Sequence, residues 1–334
     1  AMESRGLGDV YKRQTSSIGG VTQAWLTFRF WSKAFFLLRK TDAFAIHCQD
    51  LNTVPPGLLA SKMMKTPVIY DAHDPYPEMF MLSQPKFIVR IMQVLERFVS
   101  RQVDYIITVN QLMAERFRKM TNKPIQVVYN FPEKRLFRPP NSPKKSNKEE
   151  LTIGRVGTIQ PRTGIEEIVA VMQSKSLGNH LKLLLVGQVT PDFEEEFEKI
   201  IAPIADRVEM TGFVQPDQVP QFYERIDVSL IFYHPTPIFQ YLSPMKLFES
   251  MAMGVPVVAS DIGDVRSCVE KFDCGIVLKD GSISELQKAI EFMEKNPSER
   301  MRMRENGKHA VEEEINWETE SQKMSAFYMN LTSL

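Results

Sequence analysis

SPMKLFESMAMGVPVVAS, residues 243–260, reads as a short helix that opens at an anion site and runs into a buried strand. Ser243 suits the N-cap, where a hydroxyl accepts from a free amide, and Pro244 suits the first helical position. Gly254 suits the left-handed residue after the last turn, and Pro256 stops any continuation. Lys246 and Glu249 stand three residues apart and so share a face, with the lysine in the first turn beside the positive end of the helix dipole. A phosphate and a hydroxylated ring fit that pair. The plainer alternative is an ion pair in solvent on a capped amphipathic helix.

Working outward, short apolar runs alternate with helical patterns along the whole chain. Strands are expected at 43–48, 67–70, 105–109 and 125–129, with helices near 22–40, 52–64, 85–102 and 110–119. A second series expects strands at 151–157, 181–186, 207–211, 227–232, 255–259 and 275–278. Alternation of this kind implies parallel sheets covered by helices, and six strands suit a doubly wound one. The expected organisation is a leader at 1–14, a first domain at 15–135, a linker at 136–150, a second domain at 151–314 and a returning helix at 315–334. Pro139, Pro140 and Pro143 among lysines mark the linker. The leader carries GLGDVYKRQ at 6–14, which looks like a translated sequencing adapter, and only Ile18-Gly19-Gly20 precedes the first helical pattern. The first domain is therefore expected to be incomplete.

The 334 residues include 43% hydrophobic and 25% charged, ordinary for a globular chain with sizeable cores. Cys48, Cys268 and Cys274 are an odd number without a signal peptide, which argues for a reducing, cytoplasmic setting. The formal net charge is zero, yet residues 1–150 hold 23 Lys and Arg against 13 Asp and Glu, while the remainder holds 18 against 28. Two basic, apolar stretches, FRFWSKAFFLLRK at 28–40 and KFIVRIMQVLERFVSR at 86–101, suit either peripheral contact with an anionic membrane at its inner face or two core helices with solvated cations. The chain lacks GxGxxG, a Walker loop, Asp-x-Asp and zinc-like spacing, which weakens dehydrogenase, phosphotransferase and metal-dependent readings. Nothing calls for a nucleic acid.

The run Glu249-Ser-Met-Ala-Met-Gly-Val-Pro-Val-Val-Ala-Ser260 resembles the nucleotide-sugar signature of the family 4 glycosyltransferases. That resemblance implies the GT-B fold, two Rossmann-like doubly wound domains facing across a cleft. It also implies a retaining, metal-independent transfer of sugar from a nucleotide diphosphate such as UDP or GDP to a saccharide or lipid-linked acceptor, with no cofactor. In such a site Glu249 accepts from the ribose, and Ser243, Pro244, Met245, Lys246 and Leu247 line the diphosphate. Gly157-Thr158-Ile-Gln-Pro-Arg162-Thr163-Gly164 follows a strand and opens a helix, the arrangement that binds phosphate. The family places an arginine and a lysine where Thr158 and Thr163 stand, so Arg162 is the candidate substitute. Tyr241 occupies the position of a second, sugar-facing glutamate and reads either as a phenol for the sugar or as a packing aromatic. Gly212-Phe213-Val214 fall where relatives line the base pocket, and Gly187 ends a strand at a position close to the donor cleft in relatives.

In the first domain VIYDAHDPYPE, residues 68–78, reads as a buried strand followed by a polar loop with Asp71, His73 and Asp74. Loops at the carboxyl ends of parallel strands are where open sheets hold ligands. The resemblance makes His73 a catalytic or sugar-positioning residue, and Asp50 and Asn130 border the same cleft. Two other classes stay open: a module that binds a nucleotide sugar without turning it over, motivated by Thr158, Thr163 and Tyr241, and an epimerase on the same fold.

Overall fold

The computed structural model describes residues 20–332 apart from 82–83, 140–149, 175 and 178–179, so the expected leader and most of the expected linker lie outside the described residues. Two all-parallel sheets organise the chain. The first contains β1 (Ile46–Gln49), β2 (Val68–Ala72), β3 (Tyr105–Thr108) and β4 (Ile125–Val127), with α1 (Gly20–Leu38), α2 (Val54–Met64), α3 (Tyr76–Met79), α4 (Lys86–Gln102) and α5 (Gln111–Arg118) before or between them. Its spatial order is the chain order, β1-β2-β3-β4, with Ile46 opposite Val68 and Ile69 opposite Tyr105. Among the described residues this is one winding of a doubly wound sheet, without the reversal.

The second sheet holds β5 (Leu151–Val156), β6 (Leu181–Val186), β7 (Val208–Met210), β8 (Val228–Ile231), β9 (Val257–Ser260) and β10 (Gly275–Leu278). Its order β10-β9-β8-β5-β6-β7 reverses between β5 and β8. The strands are short apolar runs because both faces are covered: all four residues of β8 and of β9 are buried. Around them lie α6 (Ile165–Met172), α7 (Glu194–Ile201), α8 (Val219–Tyr223), α9 (Met245–Ala252), α10 (Val265–Phe272), α11 (Ile283–Lys295) and α12 (Pro297–Glu313). At the reversal, neighbouring connections leave in opposite directions and open a crevice beyond the carboxyl ends of β5 and β8. That crevice positions the site.

Helix α13 (Trp317–Thr332) follows the second domain but packs on the first sheet, where Trp317, Met324, Phe327 and Leu331 meet Ile69, Ile107 and Val128. Its start is pinned to the crossing strand of chain: the Trp317 amide donates to Pro132 O at 3.1 Å, and the Tyr129 amide donates to buried Glu320 at 3.0 Å. Phe137, inside the segment read as linker, is buried in the second core against the Tyr223 ring. The aromatic side chain anchors the first part of the expected linker to the second domain.

Candidate functional site

The crevice is lined by backbone that lacks side chains. Gly157 and Gly187 end β5 and β6 at φ +114° and +147°, values that L side chains rarely adopt, and Gly212 after β7 sits at +67°. A Cβ on Gly187 would collide with the Gly157 carbonyl, so two strand ends approach as closely as backbones can. Lys246 enters this space from the first turn of α9: its Nζ lies 2.7 Å from where a Gly157 Cβ would stand, and it donates to the Tyr233 hydroxyl at 2.7 Å.

Tyr233 follows β8, on the other side of the reversal. Behind its ring, 4.9 Å from the centroid, lies the guanidinium of Arg155, which is 0% exposed. Arg155 Nη1 donates to Phe232 O at 3.1 Å, and its Nε and Nη2 have no hydrogen-bond partner. Burial works to raise the Tyr233 phenol, but the positive charges of Lys246 and Arg155 outweigh it and hold the phenol below its ordinary range. Two cations therefore flank one hydroxyl at the switch point.

One turn along α9, Glu249 Oε2 accepts from the Tyr223 hydroxyl at 2.9 Å. Burial lifts this carboxyl above its usual range, with Tyr223 and Lys246 pulling it only partly back. The helix ends as read: Gly254 has φ +65°, and the Val255 amide donates to Ser250 O at 2.8 Å, the six-to-one bond of a Schellman ending. Its start differs. Pro244 is the N-cap and Met245 the first helical residue, while the Ser243 hydroxyl donates to Asp264 Oδ2 at 2.8 Å instead of capping. The half-buried Asp264 carboxyl, lifted to about 6 by desolvation and only partly lowered by Ser243, outcompetes the helix amides for that hydroxyl.

Other expected donor residues divide. Met245 and Phe213 are exposed and Thr158 and Val214 half-buried, whereas Leu247 is fully buried in the second core with its amide already donating to Pro244 O at 2.9 Å. Leu247 is thus a packing residue. Buried Thr163 donates its hydroxyl to Gln160 O at 2.5 Å, closing the loop on itself instead of facing the crevice. Arg162 is exposed in a left-handed conformation, φ +71°, with its carbonyl accepting from the His234 amide. Tyr241 turns to the first domain: its ring lies over the Arg116 guanidinium at 5.7 Å, and its carbonyl accepts from Asn110 Nδ2 at 2.8 Å. The packing alternative describes it.

On the first sheet, buried Asp71 gathers two histidines at the end of β2. Its Oδ2 bonds His47 Nε2 at 2.9 Å and His73 Nε2 at 3.1 Å, and its Oδ1 has no partner. Burial tends to raise Asp71, yet the bonds from His47 and His73 hold it below the usual carboxylate range; the bond to Asp71 in turn raises His73. Asn130 Nδ2 meets His73 Nδ1 at 3.3 Å, so both ring nitrogens are engaged. Asp50 adopts φ +62° with its amide on Asp71 O, and burial followed by the charge of exposed Asp74 raises it. Sequence reasoning missed His47 and Tyr328, whose hydroxyl bonds His47 Nδ1 from α13. They lie 281 positions apart, beyond any local pattern. Among the described residues, Glu166 and Glu167 at the start of α6 and His234 after β8 bring ligand atoms within 4.8 Å of one another, a set able to share a metal ion.

Residues 139–310 match the family model for "Glycosyl transferases group 1", and residues 4–132 match that for "Glycosyltransferase Family 4". A Bacillus subtilis glycosyltransferase, TuaH, named for teichuronic acid biosynthesis, is 27% identical over 221 residues, 62% of this chain and 54% of its own length. An uncharacterized glycosyltransferase of Methanocaldococcus jannaschii is 26% identical over 246 residues, 67% of this chain and 59% of its own. The chain thus spans little more than half of these relatives. Among solved structures, a sucrose-phosphate synthase from Thermosynechococcus elongatus superposes with a TM-score of 0.79 at 19% identity, covering 95% of this chain and 80% of that one. Anabaena HepE in complex with UDP gives 0.74 at 18%, covering 91% and 82%. At such identities the likeness concerns the fold.

Proposed function

The chain belongs to the group 1 glycosyl transferases, and from that premise we propose that it moves a sugar from a UDP- or GDP-sugar to a saccharide or lipid-linked acceptor, with retention and without metal, at the cytoplasmic face of a membrane. The observation that carries this reading is Lys246 reaching over Gly157 at the switch point, with Glu249 one turn along the same helix. Glycine backbone and a cation suit a diphosphate; a half-buried carboxylate suits the ribose hydroxyls. The UDP complex of Anabaena HepE, a protein of the same fold, agrees with that choice of ligand.

Chemistry then follows from positioning and charge. The bond between the anomeric carbon and the diphosphate oxygen breaks, its electron pair leaving with the nucleotide, while Lys246 neutralises the negative charge that develops. The acceptor oxygen bonds the same face of the anomeric carbon, and its proton passes to the departing phosphate oxygen. The Asp71-bound His73 would orient the sugar. No protein nucleophile takes part.

Transfer from UDP- and GDP-sugars, measured with wild type and Glu249→Ala, tests the reading. Loss of a charged hydrogen bond of about 1.5–3 kcal/mol corresponds to roughly 10- to 100-fold lower kcat/KM; equal values in both forms remove Glu249 from the account. Binding without turnover is the second reading, favoured by the closed-off hydroxyl of Thr163 at a family lysine position. Tight calorimetric binding of UDP or GDP with no transfer to any acceptor would select it.

A further inference from the structure

Helix α4 is apolar on two sides. Its inward face carries Val89, Glu96, Val99 and Ser100, all buried, while Phe87, Ile91, Val94, Leu95 and Phe98 on the outward side are 43–69% exposed. At 3.6 residues per turn those five form one continuous stripe, and Lys86, Arg90, Arg97 and Arg101, all exposed, form a row along one flank of it. Single exposed apolar residues are ordinary on soluble proteins. A stripe three turns long, edged by four cations, needs an apolar and anionic partner.

The basic flank borders a groove of about 410 Å³ between α4, α5 and the Tyr241 turn. Arg97, Arg116 and Lys119 line it. Arg116 is 6% exposed; its Nη2 bonds Glu78 at 2.8 Å and Glu96 at 2.6 Å, whereas Nη1 has no hydrogen-bond partner. Glu78 and Glu96 thus share one guanidinium, whose Nη1 is buried, and Arg97 and Lys119 are left at the groove as cations for a phosphate oxygen, with the Arg116 charge behind them.

We propose that α4 lies in the headgroup layer of an anionic phospholipid membrane, its stripe dipping among the acyl chains and the adjoining Arg97–Arg116–Lys119 groove receiving a lipid phosphate. This rests on the membrane-face placement proposed above and specifies the contact. Its geometry sets the Tyr241 turn, which leads directly into α9, next to the surface where a lipid-linked acceptor is presented.

Co-sedimentation with vesicles of phosphatidylcholine alone, or with about a third phosphatidylglycerol, reads the contact separately from donor chemistry. Wild type is expected to bind the anionic vesicles at least tenfold more strongly. Ile91→Ser with Phe98→Ser should abolish binding, and Arg90→Glu or Arg97→Glu should each weaken it about fivefold or more, while calorimetric UDP affinity stays unchanged in every variant. Free inorganic phosphate, added in competition, separates occupation of the groove from the surface contact: displacement without loss of the stripe's binding is the expected pattern. Equal binding to both vesicle types, unaltered binding of the double serine variant, or a wild-type dimer that the serine variant dissociates, would overturn the proposal in favour of a protein partner.

Discussion

At the scale of single residues, Arg155 is the least ordinary choice in the molecule. A guanidinium with no exposure and two unpartnered nitrogens costs stability, since desolvation of a charge is compensated only by full hydrogen bonding. It stands one strand-end away from the loop where two family cations are replaced by Thr158 and Thr163, so its charge reaches the crevice from behind Tyr233. Arg155→Met is expected to raise the melting temperature and at the same time weaken UDP binding by about tenfold, the scale of one charge interaction in a protected site. The Tyr233 phenol should then titrate at higher pH, visible as ultraviolet absorbance of tyrosinate. A fall in stability together with unchanged UDP affinity would make Arg155 a packing residue. None of this was legible in the letters LTIGRVG, where the arginine reads as one residue of a strand. Lys246 and Glu249 were legible because a three-residue spacing on a capped helix fixes their common face; Ser243 misled because its hydroxyl found Asp264, 21 positions later.

Elements were easier to read than their ends. Strands at 181–186 and 275–278 begin and finish at the expected residues, because continuous apolar runs bounded by polar turns leave little choice. The strand expected at 255–259 is found at Val257–Ser260, since Pro256 lacks the amide that a ladder needs. Helix α9 stops where glycine permits a left-handed residue, and that stop is specific: a Cβ on Gly254 would stand 2.9 Å from Lys308 Cδ and 3.1 Å from Arg304 Cγ of α12. Gly254→Ala is expected to cost about 1 kcal/mol, from φ +65° and this crowding, and to lower the melting temperature by a few degrees. Its UDP affinity should survive, because the amino end of α9 carries the ligand contacts. An unchanged melting temperature would show that the α9–α12 contact relaxes freely. Helix α4 is open to two readings from its sequence for a physical reason: periodicity reveals that a stripe exists, but the position of Glu96 against Arg116 reveals which side faces in.

For the whole molecule, alternation of strands and helices was enough to expect two parallel-sheet bodies, and the order β10-β9-β8-β5-β6-β7 places the crevice where the strand sequence turns back. What alternation does not encode is contact between distant parts. The tie from His47 to Tyr328 and the seat of Tyr241 on Arg116 depend on how the two bodies meet, and no local pattern specifies that. The positive charge of Arg155, sealed inside the second body, has a consequence for how the molecule responds to ionic strength. Mobile ions cannot enter to screen it, whereas the row from Lys86 to Arg101 stands in solvent, where fields fade over about 8–10 Å at ordinary salt. Raising sodium chloride should therefore release the protein from anionic vesicles while leaving its hold on UDP nearly constant, and parallel decline of the two would show that nucleotide is gripped by surface charges after all.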